Sequence, residues 1–84
     1  MSIQRETAFA KEMVRKLWDE AEDLIHLAGL QETNLLEHRR LIKAAAGYYY
    51  AGTSILSQYN EAREAMIEWP EAMSIRRALR NYNL

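Results

Sequence analysis

This chain of 84 residues has 49% hydrophobic and 27% charged residues and a net charge of −1 at neutral pH. That composition is typical of a folded globular protein, excludes a disordered chain, and at this length predicts a single domain over residues 1–84. The near-neutral charge gives no bulk attraction to nucleic acid or to an anionic membrane. Cysteine is absent, which excludes disulfides and cysteine-based metal sites and fits the reducing cytoplasm, where we expect the protein to act.

The first predicted element is a long amphipathic helix over residues 3–28. Apolar residues recur there at the helical period and share one face: Ile3, Ala10, Val14, Leu17, Trp18, Ala21, Leu24, Ile25 and Ala28. Charged residues lie away from that face. Gly29 followed by Leu30 is typical of a left-handed helix stop, with Leu30 folded back on the last turn.

The second predicted helix covers residues 34–67 and packs against the first as an antiparallel hairpin. Asn34 and Glu37 have the spacing of a capping box at its start. Gly52, Thr53 and Ser54 are its weak point, and a kink near residues 52–54 would bend or break it. Residues 44–60 carry no charge, but their glycines and hydroxyl side chains make them too polar for a membrane span. We therefore expect a helix buried by protein, and no membrane partner.

Pro70 predicts a boundary followed by a short third helix over residues 70–80, because proline disfavours the α conformation before it and suits the first helical position. Met73, Ile75 and Leu79 are expected to face inward. The predicted fold class is all-α: a helical hairpin plus a short C-terminal helix.

The uncharged second helix predicts self-association. Three consecutive tyrosines sweep about 200° of a helix, more than the apolar stripe of about 100° that one partner covers. The chain offers few other helices, so we predict a homo-oligomeric helical bundle. The predicted self-association residues are Ala45, Tyr48, Tyr49, Gly52, Ile55 and Leu56.

The function favoured by these patterns is protein binding. We predict a small non-enzymatic interaction module that acts as a homo-oligomer and serves as adaptor, inhibitor or chaperone of a larger protein, in the manner of phage and mobile-element regulators. Aromatic residues and arginines dominate binding hot spots. The predicted partner-binding residues are Phe9, Tyr50, Trp69, Arg76, Arg77 and Tyr82.

Two alternatives remain open at this point. Arg39, Lys43 and Tyr50 lie along one side of the second helix, and such a set suits a sponge or sensor that holds an anionic small molecule or nucleotide at an oligomer interface. The basic clusters at residues 38–43 and 76–80 also suit nucleic-acid binding.

No pattern predicts chemistry. Asp23 and His26 have the carboxylate-x-x-His spacing of di-iron helical bundles, but those sites need several such pairs and the chain has one. The sequence contains no recognisable nucleophile–base arrangement and no glycine-rich phosphate loop. We therefore predict no catalytic residue, no cofactor and no metal.

Overall fold

The computed structural model describes residues 2–31, 33–66, 69–82 and 84, with their side chains except at residues 2–4 and 65. Within these ranges the chain forms four α-helices and no strand: α1 (Ser2–Leu30), α2 (Leu35–Leu56), α3 (Asn60–Met66) and α4 (Pro70–Asn81). The all-α fold class and the long helical pair are confirmed. The helices form a rod with extents of 51 × 17 × 16 Å.

The core face predicted for α1 is largely the buried one. Its fully buried members share one stripe, flanked by half-buried Leu17, Leu24 and Ile25: Ala10, Val14, Trp18, Ala21 and Ala28. The side chain of Ile3 lies outside the described ones.

The helix stop predicted at Gly29 is wrong. The helix continues through Leu30, whose side chain is exposed rather than folded back. The Gln31 N–H donates to the Ala28 carbonyl at 3.0 Å, so the last turn of α1 is tightened, and Gly29 itself is not in the left-handed conformation.

The start of α2 shows one half of the predicted capping box, since the Asn34 N–H donates to the Gln31 carbonyl at 3.1 Å rather than to the Glu37 side chain. The Asn34 side-chain oxygen accepts a hydrogen bond from the Glu37 backbone N–H at 3.1 Å, which satisfies one of the free donors of the first turn.

The second helix predicted over residues 34–67, with a possible break at residues 52–54, is two helices in the structure, and the break lies further along the chain. The α-helix runs through residues 52–54, ends at Leu56, and resumes as α3 at Asn60. The Thr53 and Ser57 hydroxyls donate to the carbonyls of Tyr50 and Ser54, and such back-bonding competes with regular helix geometry. A kink within residues 52–54 stays a prediction, and Ile67 lies outside the described residues.

Trp18 is the centre of the hydrophobic core. Its side chain is 1% exposed, and its indole N–H donates to the Tyr49 carbonyl at 3.2 Å. The indole stacks on the Tyr49 ring at 5.6 Å and meets the edge of Trp69 at 6.1 Å. Gly52 leaves the space that the indole fills. One contiguous core therefore joins the hairpin to the α3–α4 segment.

The last helix runs back along the hairpin towards its closed end. Trp69, which precedes its first residue, contacts Trp18 of α1. Beyond its last residue, Tyr82 contacts His38 and Leu84 contacts Tyr50, both on α2. Its buried residues are Ala72, Ile75 and Leu79. Met73, predicted to face inward, is exposed, because the stripe that packs on the hairpin is centred on residues 72, 75 and 79.

Candidate interaction surfaces

The C-terminal residues are fastened to α2 by polar contacts. The Tyr50 hydroxyl donates to the Leu84 carbonyl at 2.6 Å. His38 Nδ1 lies 2.5 Å from the Ala28 carbonyl, and its Nε2 lies 2.6 Å from the Tyr82 hydroxyl. Since a carbonyl only accepts, His38 Nδ1 donates to Ala28, while Nε2 forms a hydrogen bond with the Tyr82 hydroxyl. These contacts hold the end of the chain over α2.

A groove lined by basic residues runs between α2 and the α3–α4 segment, and we call it the basic groove. It consists of three hollows of about 150, 350 and 420 Å³, and successive hollows share lining residues. Among the described residues that line it, none has an acidic side chain. Its cationic residues are Arg39, Lys43, Arg63, Arg76 and Arg80.

The first hollow has an aromatic and apolar floor with arginine at its rim. Trp18, Tyr49 and Leu56 contribute to the floor, and Arg63 and Arg76 line it as well. Burial raises the pKa of the Tyr49 hydroxyl, and the positive charge of Arg76, which hydrogen-bonds to Tyr49, acts in the opposite direction. This contact fixes the Arg76 guanidinium between the first and second hollows.

Most cations of the basic groove are not neutralised by the protein's own carboxylates. Over the described residues, the one salt bridge joins Arg40 and Glu37 at 3.9 Å, outside the groove. Arg39, Lys43, Arg63 and Arg80 make no salt bridge within that part of the chain. The groove therefore presents a positive potential to whatever enters it.

The predicted anion-binding set does not surround one hollow. Arg39 and Lys43 line the third hollow together with Tyr82, whereas Tyr50 lines the second. Leu84 lies between them and contributes to both hollows. Arg63 and Arg80 complete the groove. Arg80 belongs to the basic cluster predicted at residues 76–80, whereas Arg63 was missed because no local sequence spacing connects it to α2.

The predicted partner-binding residues divide between the basic groove and other surfaces. Tyr50, Arg76 and Tyr82 line the groove. The other three lie elsewhere: Phe9 is 65% exposed on α1, Arg77 is exposed on α4 outside the three hollows, and Trp69 is half-buried against Trp18 with the Arg15 guanidinium 5.3 Å from its ring.

Four of the predicted self-association residues are buried inside the single chain. Ala45, Tyr49, Gly52 and Leu56 are buried because Val14, Trp18 and their neighbours on α1 cover this stripe. In the single chain these four residues belong to the packing between α1 and α2, and their part in self-association stays a prediction. Tyr48 and Ile55 lie on a different side of α2, where they are exposed and half-buried respectively.

The side of the hairpin turned away from α3 and α4 is apolar on both helices, and we call it the open face. On α1, Arg15 and Trp18 contact the ring of Trp69, and Glu22 is close enough to Glu71 for their charges to interact. These three residues therefore define the side of α1 that faces α4. At 100° per residue, the apolar residues of the open face lie roughly opposite that side of α1. On α2 they lie roughly opposite Tyr50 and Thr53. The set comprises Phe9, Met13, Leu17, Leu24 and Leu27 of α1 and Leu41, Ala44, Tyr48, Ala51 and Ile55 of α2.

The open face is incompletely covered in the single chain. Phe9, Met13, Leu27 and Tyr48 are exposed, and the remaining large residues of the face are half-buried. Glu20 interrupts the stripe on α1. Leu24, Leu41 and Ile55 also pack against the edge of the core, as the predicted core face of α1 implies for Leu24. The spacing of residues 13, 17, 24 and 27, and of 41, 48 and 55, is the signal of a second apolar stripe.

The closed end of the hairpin adds further apolar surface. Leu30, Leu35 and Leu36 are exposed around the connection between α1 and α2, and Leu30 lies one turn beyond Leu27 on α1.

No helix, over the residues the structure describes, is long and apolar enough to cross a membrane. Across the same residues, no group of three or more histidine or acidic side chains is placed to hold a metal ion, and Asp23 and His26 are both exposed. No family model, curated protein or solved structure matches this chain.

Proposed function

We propose that this chain is a non-enzymatic helical interaction module that works as a homodimer joined through its open face. The observation that carries the proposal is the second apolar stripe: both hairpin helices present apolar residues on the side that α3 and α4 leave uncovered. A stripe of this kind is unfavourable in water unless another surface covers it.

A second copy is the occupant that the geometry favours. The stripes run at heptad-like spacing, which suits helices that cross at about 20° in a four-helix bundle. Ala44 and Ala51 lie between the larger residues of α2 and allow a facing helix to approach closely. Two hairpins packed face to face about a two-fold axis would bury the same residues in both copies.

The size of the open face is sufficient for a specific dimer. From Phe9 to Leu27 the face is about 27 Å long, and two adjacent helices make it about 18 Å wide. Two copies therefore contribute about 1,000 Å² in total, which is the lower bound for a specific interface. The interface also covers Tyr48 and Met13, the residue types enriched in interface cores.

The partner of the dimer would be a larger protein, for which it serves as adaptor, inhibitor or chaperone. The lack of cysteine supports action in the cytoplasm, where thiols remain reduced and small folds depend on packing. Self-association provides the additional burial that a chain of this length lacks.

Light scattering coupled to size exclusion tests the proposal. At micromolar concentration we expect a species of twice the 9.8 kDa mass of the chain. Leu27→Glu and Tyr48→Glu place a charge in the interface and should give monomers that retain the helical circular dichroism of the wild type.

Leu36→Glu is the matched control, since Leu36 is 84% exposed and lies outside the open face. It should remain dimeric. A monomeric wild-type chain at these concentrations, or monomers produced equally by Leu36→Glu, would contradict the proposal.

A further inference from the structure

We infer that the basic groove binds an acidic segment of a partner protein, which inserts one apolar side chain into the first hollow and lays its carboxylates along the cations. The inference rests on the proposed function only in treating the chain as an interaction module. The groove itself is complete in a single chain and lies on the side of the hairpin opposite the open face.

The first hollow has the size and lining for one apolar side chain. Its volume of about 150 Å³ equals that of a protein cavity that accommodates benzene, so a phenylalanine or leucine side chain fits. Trp18, Leu56 and Ala72 give it apolar walls. The hydroxyls of Thr53 and Ser57 already donate to backbone carbonyls, so they have no proton to offer an anion.

The arginines at the rim of the first hollow determine which residues are favoured next to the inserted side chain. Arg63 comes from α3 and Arg76 from α4, so two guanidinium groups flank one apolar pocket. Guanidinium pairs with carboxylates through parallel N–H donors. An aspartate or glutamate beside the inserted residue is therefore the favoured neighbour.

The other two hollows extend the cationic surface along α2. Arg80 lines the second hollow and Arg39 and Lys43 line the third. From Thr53 to Arg39 the groove follows α2 for about 21 Å at 1.5 Å per residue. An extended peptide of about seven residues spans that distance at about 3.3 Å per residue.

The aromatic residues of the groove favour a peptide over a nucleic acid. Single strands are bound by stacking bases on open ring faces. In the first hollow, Trp18 and Tyr49 are 1% and 5% exposed and stack on each other, so neither offers a face to a base there. The exposed rings of Tyr50 and Tyr82 in the other two hollows each already contact another ring, that of Tyr49 and that of His38. The net charge of −1 adds no bulk attraction to a polyanion. A free nucleotide would occupy one hollow and leave the cations of the other hollows without counter-charge.

Fluorescence anisotropy with defined peptides tests the inference on the full chain. The probes are fluorescein-labelled peptides of about seven residues with a central phenylalanine flanked by aspartate and glutamate. One comparison peptide carries alanine at the centre, and another carries asparagine and glutamine in place of the acids. We expect the acidic phenylalanine peptide to bind tightest, with an affinity that falls as salt is added.

Charge-reversal variants assign that binding to the groove. Arg63→Glu combined with Arg80→Glu should weaken binding of the acidic phenylalanine peptide about tenfold or more. Arg40→Glu makes the same change per residue at an exposed position outside the groove and should leave the affinity within about twofold. Arg76 is left unchanged because its contact with Tyr49 is structural.

Four results would overturn the inference: no binding of the acidic phenylalanine peptide at millimolar concentration, equal binding of the neutral peptide, equal binding by the double variant, or an arginine-dependent preference for ATP or single-stranded RNA over the peptide.

The monomeric variant separates this inference from the proposed function. Tyr48→Glu leaves the groove intact, so it should bind the acidic peptide with wild-type affinity whatever the outcome of the mass measurement. Loss of peptide binding with an intact dimer refutes the groove alone, and a monomeric wild-type chain that binds the peptide refutes the dimer alone.

Discussion

Gly52→Ala is expected to be destabilising, although alanine favours a helix over glycine. A β-carbon at residue 52 would lie 2.5 Å from Trp18 Nε1, 2.9 Å from its Cδ1 and 3.3 Å from Val14 Cγ1. Carbon atoms in contact are normally about 3.5–4.0 Å apart, so the indole must retreat by about 1 Å. The hydrogen bond from Trp18 Nε1 to the Tyr49 carbonyl oxygen already spans 3.2 Å, so this shift would move the two atoms beyond hydrogen-bonding distance.

The expected loss of stability follows from two destabilising contributions and one stabilising contribution. Overpacking a core costs about 1–3 kcal/mol, and a buried donor without a partner costs about 1–3 kcal/mol. Replacing glycine by alanine within a helix stabilises the helix by about 1 kcal/mol. We expect Gly52→Ala to lower the free energy of unfolding by about 2–3 kcal/mol, which lowers Tm by about 10 °C or more in a domain of this size.

Gly47→Ala is the matched control in the same helix. Gly47 is exposed, and a β-carbon there would have no neighbour within 4 Å. This change should stabilise the protein by about 0.5–1 kcal/mol. Urea unfolding at one fixed protein concentration compares the two, since the proposed dimerisation would make stability concentration-dependent.

A second variant identifies the indole as the obstacle. Trp18→Phe removes the five-membered ring that the new β-carbon meets, so it should cost less in the Gly52→Ala background than in the wild type. The reasoning is refuted if Gly52→Ala is as stable as Gly47→Ala, or if the two substitutions are additive.

Three further changes test other contacts of the fold. Burial, then the carboxylate of Glu71 and two aspartates of α1, raise the pKa of Glu22. A carboxyl whose pKa is raised by folding destabilises the protein above that pKa, so Glu22→Gln should raise Tm at pH 7, and the gain should vanish as the pH falls below about 4.3, the ordinary pKa of glutamate. Tyr82→Phe removes the hydrogen bond to His38 and should cost about 0.5–1 kcal/mol, with faster amide exchange confined to the end of α4. Trp69→Ala removes a half-buried ring at the start of α4 and should cost about 2 kcal/mol in urea unfolding, with faster exchange throughout α4.

The elements predicted correctly depend on local chemistry. The helical period of apolar residues in α1, the Asn34 cap and the break at Pro70 each act within a few residues of chain. Such features are fixed by backbone geometry whatever the rest of the fold does.

The break between α2 and α3 was misplaced because tertiary packing decides it. Glycine at residue 52 suggested a weak helix, but in the fold that glycine is where Trp18 packs, and the helix is held there. The chain turns only after Leu56, and the turn brings the buried Ala62 and Met66 into the core. A helix-propensity scale takes no account of the burial of Ala62 and Met66.

The basic groove was only partly predicted because its two sides are far apart in sequence. Arg39 and Lys43 are neighbours on one helix, and Arg76 and Arg80 on another, so each pair was visible alone. Their convergence depends on which side of the hairpin α4 packs against. That choice also decides which apolar stripe stays uncovered, so the basic groove and the open face have one structural origin.

The relation between the two surfaces determines how a dimer would engage its partners. Since α4 covers one side of the hairpin and leaves the other apolar, pairing through the open face would direct the two grooves outward, away from each other. Neither groove would then be blocked by self-association, and one dimer would offer two equivalent cationic sites. A partner with two acidic segments would gain from the second site through effective concentration alone, provided that its linker spans the dimer. Self-association would in that case strengthen binding to such a partner without adding any contact to the groove.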